Sequence, residues 1–212
     1  MTTTNIDPKK RISKLTYNGV EVPLPDAASA FEEGKQSEYD RFWDTIQNNG
    51  DPAVYSYMFY NFPATLFNPK YDFVFDGAEP TTASFTFRLL QATDMKKNCD
   101  FTRVTHVQYT FYQTNLKNAR TIKLSPENVY KDTFAHSIYL EEIRIEGEIG
   151  QNGLSFLQST KLTHDSLMSI INALQDKTSV GGTWALTIGT ANLAKLTDAE
   201  KAIATQKGWT LA

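Results

Sequence analysis

Apolar residues alternate with polar ones in four short windows along the second half of the chain. In each window, positions four and six are mostly aliphatic and position five is polar or small, a pattern typical of a half-buried β-strand. The windows cover residues 104–109, 119–124, 140–145 and 183–188. We therefore predict a short strand at each of the four.

The spacing of these windows predicts a repeat. The second, third and fourth windows begin at residues 119, 140 and 183, so the later interval is close to twice the earlier one. A period of about 20 to 29 residues is typical of a leucine-rich repeat, in which every unit adds one strand to a continuous sheet. The first window begins at residue 104, a clearly shorter step from the second. We expect this end of the array to be irregular.

Polar side chains between the inward-facing aliphatic residues would form one exposed strip on such a sheet. Its members are His106, Gln108, Thr121, Lys123, Glu142, Arg144, Ala185 and Thr187. Mixed charge suits a weak contact with protein or sugar, but we favour exposure to solvent because no aromatic residue lines the strip. Its candidate partner-contact residues are Lys123, Glu142 and Arg144.

Helical periodicity is clearest near the C-terminus. One apolar stripe at i, i+3, i+4 and i+7 consists of Leu167, Ile170, Ile171 and Leu174. Thr163 precedes it as a natural N-cap. A capping box at 197–200 begins another helix, which Gly208 ends before a last short strand at 209–211. Residues 101–212 are thus predicted to be a leucine-rich-repeat block with a C-terminal cap.

Residues 1–25 are predicted to be an extended docking arm. Asn18-Gly19 lies between alternating apolar positions and indicates a β-hairpin, which Pro23 and Pro25 end. A hairpin of this size is not stable alone, so it requires another surface from its own chain or from a partner, and we favour a partner. The candidate contact residues of the arm are Tyr17, Val20 and Val22.

Residues 26–50 have the spacing of an amphipathic helix that begins after Asp26 and ends at Asn48-Asn49-Gly50. We favour a helix that caps a core over an oligomerisation helix, because its apolar stripe is too short and irregular for a coiled coil. Residues 51–100 form the aromatic-rich beginning of the repeat domain.

Nine of the positions in 54–75 are aromatic. We favour core packing for this stretch because aromatic side chains bury the most area per residue. The alternative is an exposed contact surface, whose candidate residues are Tyr55, Tyr57 and Tyr60.

Charge and composition narrow the range of partners. A formal net charge of −3 and the absence of Lys/Arg runs argue against nucleic acid. The chain has one cysteine, Cys99, and no Cys/His spacing typical of zinc. No apolar segment resembles a secretory signal, and no apolar run approaches the length of a membrane span. We therefore expect no nucleic acid, no membrane insertion and no metal or other cofactor.

The neighbours His164, Asp165 and Ser166 contain the residue types of a hydrolytic triad. A triad must converge in space, whereas adjacent residues on a helix point about 100° apart. Because the three follow the N-cap Thr163, we predict the first turn of a capped helix. Glutamates 141, 142, 146 and 148 surround Arg144, and we favour a solvated strand face for them. The alternative is a pair of carboxylates that meet across the fold, as in a cell-wall hydrolase. We predict no catalytic residue and a protein that is not an enzyme.

Two segments, 111–116 (FYQTNL) and 134–140 (FAHSIYL), resemble the F…s..L..I.L phrase of the BspA-like leucine-rich-repeat family. Segments 162–177 and 183–212 resemble the C-terminal capping segment of short BspA-like proteins encoded by gut bacteria and their prophages, and 34–50 resembles the helix that opens such modules. The resemblance covers about residues 30–212 and is strongest after Leu140. The chain departs from the family in having few regular repeats and an aromatic insert at 54–75.

This resemblance implies an α+β fold: a short, irregular leucine-rich-repeat solenoid with capping helices, preceded by the hairpin arm and one amphipathic helix. It implies a non-enzymatic structural protein of a phage virion, in the tail, baseplate or fibre, made in the host cytoplasm and present in multiple copies. The arm would bind other virion proteins. The alternative is an adhesin or receptor-binding module that recognises a host-surface glycan or protein.

Overall fold

Two units make up the chain, residues 1–49 and residues 50–212. The structure is a computed structural model that describes residues 14–17, 20–23, 56, 58–69, 72–75 and 82–212, the first two segments by their backbone alone. The helix that the sequence predicts at 26–50 lies outside the described residues.

A two-stranded antiparallel hairpin is described in the first unit. Strand β1 (Lys14–Tyr17) pairs with β2 (Val20–Pro23), with Tyr17 opposite Val20 and Lys14 opposite Pro23. The hairpin predicted from Asn18-Gly19 is therefore confirmed. The contact roles of Tyr17, Val20 and Val22 remain predictions.

A four-stranded parallel sheet lies in the second unit. Its strands, in spatial order, are β3 (Phe73–Val74), β4 (Cys99–Asp100), β5 (Asn118–Leu124) and β6 (Glu142–Gly147). Phe73 lies opposite Cys99, which lies opposite Ile122, which lies opposite Ile145. Parallel pairing requires a long connection between strands, and here each connection returns the chain to the same sheet.

The strand predicted at 104–109 is wrong. This segment forms turns and bends, and its described β-pairing consists of two isolated bridges of His106, one to Thr82 and one to Val129. Val104 and Val107 are both buried, three residues apart, so their apolar spacing reflects a bend against the core. The strand that precedes β5 is Cys99–Asp100, which explains why the first predicted step was too short.

The predicted step between the second and third windows is too short by two residues. The predicted step places Ile122 opposite Ile143, whereas the structure pairs Ile122 with Ile145. A slip of two residues keeps every side chain on the same face, because side chains alternate with a period of two along a strand. The prediction of which side chains of β5 and β6 are exposed and which are buried is therefore unaffected by this error.

The fourth predicted window does not continue this sheet. Strand β7 (Trp184–Leu186) pairs instead with β8 (Trp209–Leu211) in a separate two-stranded parallel sheet. The exposed strip is corrected accordingly: Thr121, Lys123, Glu142 and Arg144 share a sheet, and the other predicted members do not. The residues that lie elsewhere are His106, Gln108, Ala185 and Thr187.

Three α-helices are described in the C-terminal part: α1 (His164–Asn172), α2 (Thr190–Leu193) and α3 (Asp198–Gln206). A short 3-10 helix lies earlier, at Ala64–Leu66. Thr163 caps α1 by accepting from the backbone N–H of Ser166, and Thr197 and Glu200 form a reciprocal capping box on α3. Both caps, and the strand after Gly208, confirm the sequence prediction.

Helix α1 lies where a further strand would follow β6. The Ser166 hydroxyl accepts from the backbone N–H of Ile143 (3.0 Å), and the Ser169 hydroxyl accepts from that of Ile145 (2.9 Å). These bonds satisfy two edge donors of β6, which an open sheet edge would leave available to another chain. The described residues are thus mixed α and β, with parallel sheets and capped helices.

Five phenylalanine rings stack in a column through the core. Successive ring centroids are 5.3, 5.1, 4.8 and 5.0 Å apart, with interplanar angles of 14° or less. The rings belong to Phe59, Phe87, Phe111, Phe134 and Phe156, and each is at most 1% exposed. Offset stacking of this kind adds to the burial of large apolar surfaces.

Among its described residues, the aromatic stretch at 54–75 contributes phenylalanines to the core. Phe59, Phe67, Phe73 and Phe75 are buried, which confirms the favoured interpretation for these residues. Tyr60 is 42% exposed, so a tyrosine of the stretch reaches the surface. Tyr55 and Tyr57 lie outside the described residues.

Buried hydroxyl groups join consecutive segments of the chain. Thr133 donates to the Val107 carbonyl (2.9 Å), and Ser137 donates to the Phe111 carbonyl (2.7 Å). Ser159 donates in the same way to the Phe134 carbonyl (2.7 Å). Each donor reaches a residue 25 or 26 positions earlier, so buried backbone carbonyls of one segment are satisfied by the next.

Gly150 provides a direct test of this close packing. An added Cβ would lie 2.3 Å from the Pro126 carbonyl oxygen and 2.7 Å from the Pro126 Cβ. We expect Gly150→Ala to destabilise the protein by about 1–3 kcal/mol through overpacking, measured as a lower thermal unfolding midpoint. Gly181→Ala is the matched control, since its Cβ would meet nothing within 4 Å. Equal midpoints for the two variants would refute the packing described.

Candidate functional site

The exposed faces of β5, β6 and α1 enclose an open groove of about 990 Å³, which we call the sheet groove. Its polar and charged lining residues include Asn98, Asn118, Arg120, Thr121, Glu142, Arg144, Asp165, Ser169 and Asn172. Two predicted contact residues, Glu142 and Arg144, line the groove. Lys123 is exposed on β5, where it lies opposite Glu146.

Three charged residues that line the sheet groove, Arg120, Glu142 and Arg144, each have a polar partner within the protein. Arg120 Nε donates to Asp94 Oδ1 at 2.8 Å, and a second guanidinium nitrogen reaches Oδ2. Burial alone would raise the pKa of Asp94, but hydrogen bonds from Arg120 and the Lys96 backbone, with the nearby positive charges, lower it overall. Asn118 Nδ2 donates to Glu142 Oε2 at 2.5 Å. Paired groups of this kind favour a solvated polar surface over a strong ligand site.

A second surface consists of four aromatic residues and one arginine. We call it the tyrosine–arginine surface, and its members are Tyr60, Phe85, Arg88, Tyr109 and Tyr112. The Arg88 guanidinium carbon lies 5.3 Å from the Tyr112 ring centroid, 5.6 Å from that of Phe85 and 5.9 Å from that of Tyr60. These distances lie within the range of cation–π attraction.

The aromatic residues also support one another. The Phe85 and Tyr109 rings stack at 5.1 Å, and Tyr109 meets Tyr112 edge to face at 5.6 Å. Lys131 Nζ lies 5.6 Å from the Tyr109 ring centroid. Phe85 and Tyr109 both have positive φ angles, 63° and 54°. The chain thus holds these rings at tight turns of rare backbone geometry.

An exposed row of amides follows the same residues. Asn115 Nδ2 donates to Gln91 Oε1 at 2.8 Å, and Gln91 Nε2 donates to Asn61 Oδ1 at 3.2 Å. Gln91 follows Arg88 by three positions, and Asn115 follows Tyr112 by three. The amide row and the tyrosine–arginine surface therefore come from the same turns of the chain.

Sequence reasoning named Tyr60 but missed the rest of this surface. A signal was present, because residues 85–88 (FTFR), 109–112 (YTFY) and 132–135 (DTFA) share the pattern x-T-F-x. The central Thr and Phe of each are buried, whereas the outer positions of the first two segments are partly exposed. In the first two segments the outer positions meet in space, Phe85 with Tyr109 and Arg88 with Tyr112.

The residues His164 and Ser166 have separate partners. Ser166 is buried, and its hydroxyl bonds to the Glu141 carbonyl and the Ile143 N–H. His164 Nε2 lies 2.8 Å from Glu200 Oε1 on α3. Across the part of the chain that the structure describes, no group of three or more His, Cys, Asp or Glu side chains could hold a metal ion.

The contacts of Glu200 predict that the folded state becomes less stable at acidic pH. The Thr197 backbone N–H, the Thr197 hydroxyl and His164 lower the pKa of its carboxyl. A folded-state pKa below the unfolded value contributes stability above about pH 4.3, which is lost as pH falls through the folded pKa. We expect wild type to melt above Glu200→Gln at pH 5 and the two to converge towards pH 2. A calorimetric difference that is constant across this range would contradict the assignment.

Comparisons of the chain with family models, with curated proteins and with solved structures found no match. Among the helices that the structure describes, none is long and apolar enough to cross a membrane.

Proposed function

We propose that the second unit is a short, irregular solenoid of the BspA-like leucine-rich-repeat type, and that the protein is a non-enzymatic structural component of a phage virion, in a tail, baseplate or fibre. We call each stretch of chain that leads from one sheet partner to the next a coil. The observation that carries the proposal is the constant register: Cys99, Ile122 and Ile145 lie opposite one another, and equal lengths of chain separate them.

Other positions repeat at the same or nearly the same step, which supports the solenoid. The Thr121 N–H donates to Asn98 Oδ1, and the Thr114 N–H donates to the Ser137 hydroxyl, in both cases across 23 positions. The stacked rings of Phe87, Phe111 and Phe134 follow a similar spacing. A shared period in the sheet, the core and the turns is expected when each coil contacts only its neighbours.

The C-terminal helices supply the cap that such an array needs. Terminal repeats must cover the open end of the core, and α1 does this through the Ser166 and Ser169 hydroxyls at the edge of β6. Lys195 Nζ on the following segment donates to the carbonyls of Thr160 and Leu162, at 2.8 and 2.7 Å. This arrangement fits the resemblance of the C-terminal segments to a family capping segment.

In this proposal the hairpin arm binds other virion proteins by adding a strand to a partner's sheet. We expect deletion of residues 1–25 to abolish incorporation into particles while the second unit keeps its thermal unfolding transition. Mass spectrometry of purified particles, with and without the deletion, measures incorporation. Unchanged incorporation would refute the docking role of the arm, and absence of the wild-type chain from particles would refute the virion assignment.

The second candidate function is a host-surface adhesin, and the observation in its favour is the tyrosine–arginine surface. Exposed aromatic residues and arginine are enriched where proteins bind partners. The purified protein would then be retained on intact host cells or wall fragments, whereas a purely structural component would not. The alternative is rejected if retention is no greater than that of a Tyr112→Ala, Arg88→Gln double variant.

A further inference from the structure

Arg88 carries a charge that no described residue neutralises. Its guanidinium is held by three aromatic rings, and no carboxylate forms an ion pair with it in the described ranges. Its Nε is buried and has no hydrogen-bond partner. A ligand cannot reach this buried Nε, so an anion that binds Arg88 would contact the two terminal nitrogens of the guanidinium.

We propose that the tyrosine–arginine surface is a binding site for an acidic saccharide, and that Arg88 recognises its carboxylate. The planar guanidinium fork matches the geometry of a carboxylate and forms its strongest hydrogen bonds with an anion. The three rings fix its orientation before binding, which reduces the ordering cost that a free arginine side chain would incur.

Charge around the site favours an anion. Lys131 lies over Tyr109, beside the Phe85 ring that contacts Arg88. Lys131, like Arg88, forms no ion pair with a carboxylate among the residues that the structure describes. The chain as a whole has a net charge of −3, whereas the two charged groups that lie over the rings of this surface, Arg88 and Lys131, are both cations. A local positive potential attracts anionic ligands over distances of about 10 Å.

The amide row favours a sugar over an acidic peptide. Asn61, Gln91 and Asn115 are exposed amides, and each amide both donates and accepts hydrogen bonds, as sugar hydroxyl groups do. The row runs along the same three turns as Tyr60, Arg88 and Tyr112. Each of these turns therefore presents an aromatic or guanidinium group together with an amide. Consecutive sugar units of an oligosaccharide could contact consecutive turns.

The site can be tested by calorimetric titration of the full-length protein with a tetrasaccharide of galacturonic acid. The matched control ligand is the same tetrasaccharide with its carboxylates methyl-esterified. We expect saturable binding of the acid and at least about tenfold weaker binding of the ester, because the ester cannot form the charge-assisted hydrogen bonds that a carboxylate forms with a guanidinium. Equal binding of the two, or no binding of the acid, would overturn the proposal.

Variants locate the site. Arg88→Lys keeps the charge but loses the fork, and we expect it to weaken binding about tenfold without altering the unfolding midpoint by more than a few degrees. Arg144→Gln, in the sheet groove, is the matched control and should bind as wild type does. Unchanged binding by Arg88→Lys, or an equal loss in Arg144→Gln, would exclude the assigned site.

A tetraglutamate peptide tests whether the site binds an acidic peptide instead of an acidic saccharide. We expect it to bind at least about tenfold more weakly than the acidic saccharide, because it lacks the hydroxyl groups that the amide row would bind. Equal or tighter binding would overturn the assignment to a sugar. The inference does not depend on the virion assignment, because the titration uses purified protein. It names the class of ligand for the same surface on which the adhesin alternative rests. Its failure would leave the particle experiment unaffected, and a failed particle experiment would leave the titration unaffected.

Discussion

Replacing Phe111 with alanine is expected to lower the free energy of unfolding by about 3–5 kcal/mol. Phe111 is the middle ring of the five-ring column, with centroids 5.1 Å from Phe87 and 4.8 Å from Phe134, and it also meets Phe101 edge to face at 6.0 Å. It is 1% exposed. Truncation would leave a cavity between two rings that are anchored on different segments and cannot move together to fill it.

Urea unfolding monitored by far-UV circular dichroism measures the effect of Phe111→Ala. Tyr139→Ala is the control, because Tyr139 is 41% exposed and its truncation should cost less than about 1 kcal/mol. Phe111→Leu should lie between wild type and Phe111→Ala, since it removes less volume. A loss for Phe111→Ala no greater than that for Tyr139→Ala would show that the column does not form.

Replacing Asn128 with leucine is expected to cost about 3 kcal/mol or more, although the two side chains are similar in size. Asn128 is fully buried. Its amide donates to the carbonyls of Phe101 (3.0 Å) and Val104 (2.5 Å), and its oxygen accepts from the Ser125 N–H (2.8 Å). Leucine would leave the Val104 carbonyl and the Ser125 N–H without their partner, each at about 1–3 kcal/mol. It would also remove one of two hydrogen bonds to the Phe101 carbonyl, which still accepts from the Val104 N–H at 3.3 Å.

Asn115→Leu is the control for Asn128→Leu, because the Asn115 amide bonds Gln91 at the exposed surface, where water can replace the lost partner. We expect it to change the unfolding free energy by less than about 1 kcal/mol. Hydrogen exchange at the Ser125 amide gives a local measure, and this amide should exchange faster in Asn128→Leu. Equal stability of the two leucine variants would contradict the role assigned to Asn128.

The C-terminal elements were predictable because their signals are local. The N-cap Thr163 and the capping box of Thr197 and Glu200 each act within one helical turn. Gly208 then ends the last helix with a φ of +80°. Such features depend only on neighbouring residues, so the sequence identifies them without knowledge of the tertiary fold.

The short strands were not predictable in the same way. Cys99–Asp100 contains only two residues, too few for an alternating pattern, and it is a strand because Phe73 and Ile122 lie on either side of it. Residues 104–109 have an alternating pattern that predicts a strand. In the structure Val104 and Val107 are instead buried at a bend of the chain. Here tertiary packing overrides the local preference.

The tyrosine–arginine surface shows the same limit for sites. Nothing in the sequence distinguishes Arg88 from other arginines. It becomes a candidate binding residue only through its contacts with the rings of Phe85 and Tyr112. The contact between Arg88 and Tyr112 joins residues that are far apart in the sequence, and the tertiary fold brings them together. Once Ile122 is aligned with Ile145 rather than with Ile143, the step is known and the x-T-F-x pattern can be superposed.

The most direct test of the stacked-coil account is the deletion of residues 111–133. This deletion removes as many residues as separate Ile122 from Ile145, which is one step of the register. At the new junction Thr110 precedes Phe134, so a threonine still precedes this phenylalanine, as Thr133 does in the intact chain. The control deletes residues 111–122, roughly half a step, and so breaks the register. The measurement is thermal unfolding followed by circular dichroism.

We predict that the protein lacking residues 111–133 unfolds in one cooperative transition at a lower midpoint, since it loses one coil and its interface. The protein lacking residues 111–122 should show no such transition. If both deletions abolish cooperative unfolding, or if the shorter deletion is the better tolerated, the chain is not built from interchangeable coils and the account is wrong.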